Sequence, residues 1–158
     1  MTQPTHSSDP RMSLLLKWLA TLDSNIGLQI PSLAPASSDA SFRRYFRIQA
    51  SSATLIVMDA PPPQENCRPF VDIAARLSQV KLNVPAILAQ DLEQGFLLLS
   101  DLGPTTYYAK IQQGLTDAEL QPLYRDALAA LVQLQTANHA GLPAYDAKRL
   151  KDELGLFV

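Results

Sequence analysis

The first apolar stripe of the chain has helical spacing. Its members are Leu14, Leu15, Trp18, Leu19 and Leu22. Residues three and four apart share one helical face, so this stripe predicts an amphipathic helix that ends near Ser24. Asp9 and Pro10 precede it in the places of an N-cap and a first helical residue. The polar residues at the start predict a flexible tail over residues 1–10.

Strand patterns follow in two pairs. Residues 46–50 alternate apolar and polar side chains, and residues 54–58 form a continuous apolar run. Residues 84–90 and 96–99 are two further apolar runs that predict strands later in the chain. Runs of this length that are rich in β-branched and aromatic residues predict two hairpins, and a short additional strand is predicted around Leu33.

A helix is predicted between the two strand pairs. Three consecutive prolines at residues 61–63 end the second strand, because proline cannot donate a hydrogen bond to the sheet. Asn66 is the expected cap of a helix over residues 66–80. The apolar face of this helix carries Phe70, Ile73, Ala74 and Leu77.

The remaining patterns are helical. Thr116 and Glu119 have the spacing of a capping box, and a wide apolar stripe follows over residues 120–134. A last helix begins at Asp146. Because strands and helices are segregated along the chain, the predicted fold class is α+β. We expect a sheet-bearing unit over residues 11–103 and a helical unit over residues 104–158.

Composition narrows the function classes. Of the 158 residues, 47% are apolar and 18% are charged, and the net charge is −2. This balance supports a buried core and does not favour a nucleic-acid partner, which usually needs a basic face. No apolar run is long enough for a membrane span or a signal peptide, so we expect a soluble cytoplasmic protein without a membrane partner.

Two residue types with reactive side chains are rare in the chain. Cys67 is the single cysteine, so it cannot form an internal disulfide, and its neighbours do not predict a nucleophile. His139 has no acidic or histidine neighbour at the spacing of a metal ligand or a catalytic pair. We therefore interpret Cys67 as a non-catalytic residue and His139 as a satisfied or solvated side chain.

Three sequence strings together resemble one branch of the aminoglycoside-phosphotransferase superfamily. They are SDASFRRYFR over residues 38–47, VMDAPP over residues 57–62 and GFLLLSDLG over residues 95–103. The resembling branch phosphorylates N-acetylmuramate and N-acetylglucosamine at the anomeric position in cell-wall recycling. The resemblance runs from about Pro31 to the end of the chain.

The resemblance implies a protein-kinase-like N-lobe, with an antiparallel sheet and a helix, followed by the first helices of a truncated C-lobe. It implies ATP as cofactor, with Mg²⁺ in the complete enzyme, and a sugar as acceptor. The implied nucleotide-binding residues are Ser38, Asp39, Ala40, Ser41, Phe42, Arg43, Met58, Asp59, Leu99, Ser100, Asp101 and Leu102.

The loop over residues 38–43 has two interpretations. Small residues let a backbone approach phosphates closely, and the adjacent arginines add positive charge. The alternative is an ordinary hairpin with solvated arginines. At residues 99–102 the apolar strand would pack beside adenine, and backbone groups would bond its edge.

The string VMDAPP departs from the kinase pattern. Kinases place a phosphate-binding lysine near the end of the third strand, where this chain has Met58 and Asp59. Asp59 is expected to turn away, to pair with Arg43 or Arg44, or to help hold Mg²⁺; a solvated strand-end carboxylate is the other interpretation. Without a lysine to pair with, Glu65 and Asp72 are expected to be solvated.

The chain contains neither a catalytic loop of His-x-Asp form nor an Asp-rich metal motif. We therefore expect a fragment that does not itself transfer a phosphoryl group. The alternatives are a non-catalytic nucleotide-binding or regulatory module, and an α+β domain of another role. Apolar helical residues left without a partner would favour self-association.

Overall fold

A computed structural model describes residues 9–22, 24–38 and 42–155. The expectations for the tail before Asp9, for Asp39, Ala40 and Ser41, and for Leu156, Phe157 and Val158 lie outside the described residues. The helices are α1 (Pro10–Thr21), α2 (Arg68–Gln79), α3 (Tyr107–Ile111), α4 (Asp117–Leu134) and α5 (Ala147–Leu154). The strands are β1 (Gln29–Ser38), β2 (Arg44–Gln49), β3 (Thr54–Asp59), β4 (Ile87–Asp91) and β5 (Phe96–Ser100).

The five strands form one antiparallel sheet in the order β1-β2-β3-β5-β4. The two predicted hairpins, β2–β3 and β4–β5, are present in it. β1 is longer than the short strand predicted around Leu33, because it pairs with β2 over two register irregularities. Its prolines, Pro31 and Pro35, are tolerated there since β1 is an edge strand. The predicted α+β class and kinase-like N-lobe are confirmed.

The sheet has two differently covered faces. On the back face, α1 packs against alternate residues of β2, β3 and β5, and Trp18 lies with its ring 5.5 Å from that of Phe96. On the front face, Met58, Leu97 and Leu99 are buried with Cys67 at the start of α2. The period of two along each strand therefore decides which side chains contact α1 and which face α2 and the open side of the sheet.

The helix starts differ from the predictions by at most a few residues. The Asp9 carboxylate accepts a hydrogen bond from the Arg11 amide at 2.9 Å, which confirms the predicted cap. Cys67, not Asn66, is the N-cap of α2, but the Asn66 side chain accepts from the Arg68 amide at 3.0 Å. The capping box is confirmed, with the Glu119 carboxylate accepting from the amide at the start of α4 at 2.9 Å.

Helices α3 to α5 are exposed over most of their surface. Three hydrogen bonds between described residues connect the α4 region to the α2 region. The Gln133 side chain donates to the Val80 carbonyl, and Arg76 donates to the carbonyls of Asn138 and Ala140 at 2.8 and 2.9 Å. In the described ranges, no helix has both the length and the apolar character that crossing a membrane requires.

Candidate nucleotide cleft

A cleft of about 340 Å³ opens on the front of the sheet. One wall is the sheet, with Ala36 of β1, Tyr45 and Arg47 of β2, and Ile56 of β3. The other wall is the crossover segment that leaves β5, which we define as residues 99–104. The remaining lining residues are Phe70, Pro85 and Thr106. Tyr45 and Arg47 of β2 and the crossover segment therefore face one concave, largely apolar space.

The Asp101 side chain fixes the crossover segment to the sheet. Its carboxylate accepts from Arg47 Nε at 2.6 Å and Nη2 at 3.2 Å, and from Thr54 Oγ1 at 2.7 Å. The Gly103 amide donates to the same carboxylate at 2.9 Å. Arg47 first, and then Thr54 and Gly103, hold the pKa of Asp101 well below its ordinary value. The carboxylate thus positions the segment and is not itself presented to a ligand.

Some backbone groups of the crossover segment already form hydrogen bonds within the protein. The Ser100 amide donates to the Ala86 carbonyl at 2.9 Å, and the Ser100 hydroxyl accepts from the Ala86 amide at 2.8 Å. The backbone N–H and C=O of Leu102 make no hydrogen bond with the other described residues. Of the predicted nucleotide residues, Leu99, Ser100, Asp101 and Leu102 all line the cleft.

Phe42 and Arg43 directly precede β2 and are the described residues of the β1–β2 connection. Phe42 is 66% exposed. Arg43 Nε lies 3.0 Å from Glu65 Oε2, and the Glu65 side chain is only 13% exposed. The expectation that Glu65 is solvated is therefore wrong, because the carboxylate has an arginine partner contributed by the turn. Asp72 is half-exposed and pairs with Arg76 along α2.

Met58 and Asp59 do not line the cleft. Met58 is fully buried on the front face, in the cluster with Leu97 and Cys67. Asp59 is fully buried on the back face, where its carboxylate accepts from Arg11 Nε at 2.8 Å and Arg44 Nε at 2.9 Å. The interpretation as a solvated strand-end carboxylate is wrong; Asp59 turns away from the cleft and pairs with Arg44, and Arg43 pairs elsewhere.

The Asp59 pair extends to the start of α1. Arg44 Nη1 also contacts Asp9 Oδ2 at 2.5 Å, and this hydrogen bond lowers the pKa of Asp9. Arg11 lies over the Phe96 ring, 4.2 Å from its centroid, and also donates to the Gln94 carbonyl. Sequence reasoning missed Arg11 as a partner of Asp59. The available signal was indirect, because a buried aspartate at the end of an apolar strand needs a cationic partner but the sequence does not say which one.

Sequence reasoning also missed the sheet wall of the cleft. Tyr45 and Arg47 alternate with Phe46 and Ile48, which are buried against α1. The same alternation places Tyr45 and Arg47 on the opposite face, where they line the cleft with Ile56. The signal was present in the period of two, but it indicates a cleft only once the crossover segment is known to pass over that face.

Neither Cys67 nor a carboxylate cluster offers further chemistry in this region. Cys67 is 2% exposed, and burial raises the pKa of its thiol. His139 is exposed. The described residues do not bring together three or more His, Cys, Asp or Glu side chains in a metal-binding arrangement. The features of this region that could contact a ligand are therefore the lining of the cleft and the backbone of Leu102.

A larger groove, about 580 Å³ in volume, lies between α2 and the segment that enters β4. Its lining is mostly short or aliphatic, as with Ala74, Val84 and Leu88, and it contains no charged side chain. Because nothing in it would polarise a substrate or hold an anion, the smaller cleft is the better candidate site.

Comparison with known proteins agrees with this geometry. The family described as "Phosphotransferase enzyme family" matches residues 32–156, which is most of the chain. The chain therefore belongs to the phosphotransferase enzyme family.

Similar proteins within that family have sugar kinase names. An N-acetylmuramate/N-acetylglucosamine kinase of Pseudomonas aeruginosa is 57% identical over 126 residues, covering 79% of this chain and 36% of that protein. A kinase of the same name from Pseudomonas putida is 46% identical over 162 residues, covering 98% of this chain and 46% of that protein. A third, from Neisseria meningitidis, is 38% identical over 124 residues. The chain spans less than half the length of these relatives.

Proposed function

We propose that this chain is the ATP-binding N-terminal part of an ATP-dependent amino-sugar kinase. The observation that carries the proposal is the cleft between the front of the sheet and the crossover segment, which Asp101 clamps in place. The similar kinases support an N-acetylated amino sugar as the acceptor, and with it a cytoplasmic role in cell-wall recycling.

The walls of the cleft suit a purine base. Ile56 and Leu99 are cross-strand partners and provide apolar surface for one flat face of adenine, and the backbone of Leu102 provides a donor and an acceptor for its edge. The phosphates would then extend toward the turn of residues 38–43, at the other end of β2. This direction places the phosphates on the side of the sheet where Arg43 pairs with Glu65, and an arginine is a suitable cation for phosphate oxygens.

Phosphoryl transfer itself needs a base for the acceptor hydroxyl and carboxylates for Mg²⁺. The described residues contain no carboxylate cluster that would hold Mg²⁺. We therefore assign nucleotide binding to this chain, and we expect it to show no phosphotransferase activity when it is assayed alone. In the complete enzyme, Mg²⁺ would neutralise charge on the nucleotide phosphates.

A second candidate function is a non-catalytic nucleotide-binding or regulatory module. The observation that favours it is the buried Met58 in place of the phosphate-binding lysine. The gene sequence beyond the Val158 codon distinguishes the two proposals. A downstream His-x-Asp loop with metal-binding aspartates supports the kinase, whereas a stop codon supports the module.

Nucleotide binding is tested directly on this chain. We expect Mg-ATP to raise its melting temperature, and we expect adenosine to bind in calorimetry. Leu102→Pro removes the backbone donor proposed for the base without removing a hydrogen bond within the described part of the protein. It should weaken ATP binding about tenfold, whereas Leu102→Ala, which keeps the donor, should have little effect.

Melting of the Leu102 variants without nucleotide checks that both are folded. If neither ATP nor adenosine binds the unmodified chain at millimolar concentration, the proposed function is wrong. Equal ATP affinities of Leu102→Pro and Leu102→Ala would instead contradict the proposed position of the base.

A further inference from the structure

The sheet leaves open which cation holds the nucleotide phosphates. Met58 occupies the strand position of the kinase lysine, and it is fully buried against Leu97 and Cys67. Any substitute must lie on the front face of the sheet, near the turn between β1 and β2, and must carry a positive charge at neutral pH.

Most cations of the described residues fail one of these conditions. Arg11 and Arg44 lie on the back face with Asp59. Arg47 is on the front face but is held by Asp101 at the crossover end of the cleft. The others lie on helices or next to helix ends: Lys17, Arg68, Arg76, Lys81, Lys110, Arg125, Lys148, Arg149 and Lys151.

Arg43 meets all three conditions. Tyr45 and Arg47 line the cleft, and Arg43, which directly precedes β2, continues their alternation on the same side of the sheet without itself lining the cleft. Tyr45 pairs with Met58 in the register of β2 and β3, which makes Arg43 the diagonal neighbour of Met58. The ion pair with Glu65, which precedes α2 on the front side, is independent support for this orientation.

Glu65 gives Arg43 the arrangement that kinases give their lysine. In kinases a glutamate on the helix of the small lobe pairs with the strand lysine and orients it toward the phosphates. Here Glu65 Oε2 lies 3.0 Å from Arg43 Nε, and its side chain is mostly buried. Tyr45 is a second side-chain partner of Arg43, so the guanidinium is held by two groups on the front of the sheet. A guanidinium carries five N–H donors in a planar fork, and phosphate oxygens can share or replace such contacts when a nucleotide binds.

We propose that Arg43, oriented by Glu65, is the phosphate-binding cation of this cleft. It replaces the lysine that kinases place near the end of the third strand. This inference rests on the proposed nucleotide-binding function. It assigns the ligand chemistry at this end of the cleft to the β- and γ-phosphates of a nucleoside triphosphate. Arg43 contacts the ligand, whereas Glu65 is a positioning residue.

The test compares ATP with adenosine, because only ATP carries phosphates. Calorimetry is performed on the unmodified chain, on Arg43→Gln, and on Arg68→Gln as a control that removes an exposed arginine of α2. We expect Arg43→Gln to weaken ATP binding about tenfold to a hundredfold and adenosine binding less than about twofold. Arg68→Gln should change neither affinity, and Arg43→Lys should restore part of the ATP affinity.

Two further variants separate the role of Glu65 from stability. Glu65→Gln should weaken ATP binding by less than Arg43→Gln, because the cation is retained but less well oriented. If Arg43→Gln does not fold, the double variant Arg43→Gln with Glu65→Gln replaces it, because that variant leaves no unpaired carboxylate.

The outcomes distinguish this inference from the function on which it rests. If the unmodified chain binds neither ligand, the proposed function fails, and the inference fails with it. If the chain binds adenosine as tightly as ATP, or if Arg43→Gln binds ATP as the control does, the nucleotide cleft stands and the role of Arg43 is wrong.

Discussion

Asp59 shows how one buried charge connects several parts of the molecule. Its side chain is fully buried, and its two oxygens are held by Arg11 of α1 and Arg44 of β2. Arg44 also contacts Asp9, which caps α1. This network attaches the start of α1 to β2 and β3 on the back face of the sheet. The candidate cleft lies on the opposite, front face, so the network stabilises the strands that form its wall.

The first prediction concerns Asp59→Asn. Because this substitution removes the negative charge between Arg11 and Arg44, we expect the free energy of unfolding to fall by about 3 kcal/mol. Glu93→Gln is the matched control, since Glu93 pairs with Arg68 at the surface, and it should change that free energy by less than about 1 kcal/mol. Urea unfolding measures both, and equal effects of the two variants would contradict the network.

The second prediction concerns Asp101 and pH. Arg47 and Thr54 hold the folded-state pKa of Asp101 well below its ordinary value. A depressed pKa stabilises the fold above the unfolded-state pKa of about 3.9, and this stabilisation is lost as pH falls toward the folded-state pKa. Between pH 6 and pH 3 the unmodified chain should therefore lose about 1 kcal/mol more of its unfolding free energy than Asp101→Asn.

Urea titrations at several pH values measure the Asp101 effect. Asp9 and Asp91 also have lowered pKa values, but they are present in both proteins and cancel in the comparison. Parallel pH profiles of the unmodified chain and Asp101→Asn would show that the clamp on the crossover segment contributes nothing to stability.

The β4–β5 hairpin depends on one glycine. Gly95 has a φ of +75°, and its carbonyl accepts a hydrogen bond from the Ala60 amide at 2.8 Å. A β-carbon built at Gly95 would lie 2.0 Å from the Ala60 carbonyl oxygen. The turn between β4 and β5 therefore packs against the end of β3 at a distance that only glycine allows.

The third prediction compares two glycines. Gly114 also has a positive φ, of +80°, but a β-carbon there would have no atom within 4 Å. Gly114→Ala should cost about 1 kcal/mol from the backbone conformation alone, whereas Gly95→Ala should cost more than about 2 kcal/mol because a backbone oxygen must also move. Thermal unfolding measures the difference, and equal melting temperatures would contradict the close approach to Ala60.

Helix α4 presents several large apolar side chains to solvent. Leu128 is 61% exposed and Val132 is 63% exposed, one helical turn apart. Large exposed apolar patches are uncommon on proteins that remain monomeric. We propose that this chain self-associates through α4 when it is studied alone.

The fourth prediction tests that self-association. Light scattering should show a mass above that of a monomer at high concentration, and Leu128→Gln with Val132→Gln should lower it. Leu14→Gln, on an exposed position of α1, is the control and should leave the mass unchanged. A monomer at all concentrations would contradict self-association through this surface.

Much of the fold follows from local patterns. Alternation over residues 46–50 and the apolar runs predicted both hairpins, and the spacing of apolar residues with their caps predicted α1, α2, α4 and α5 to within a few residues. β1 was underestimated, since Pro31 and Pro35 weaken its own strand signal and its length comes from pairing with β2. The three strings also predicted the family. Residues 99–102 line the cleft, and their role in nucleotide binding stays a prediction.

The partners of the charged residues were not determined by sequence. Arg11 and Asp59 are separated by 48 residues, and Arg47 and Asp101 by 54, so no local period relates them. Alternation along the chain predicts that the neighbouring residues Arg43 and Arg44 point to opposite faces of the sheet. Which helix packs on each face is decided only by the tertiary structure. Local sequence thus determined the elements and their two-sided character, whereas the assembled sheet decided which carboxylate each arginine binds, because burial makes those pairings obligatory.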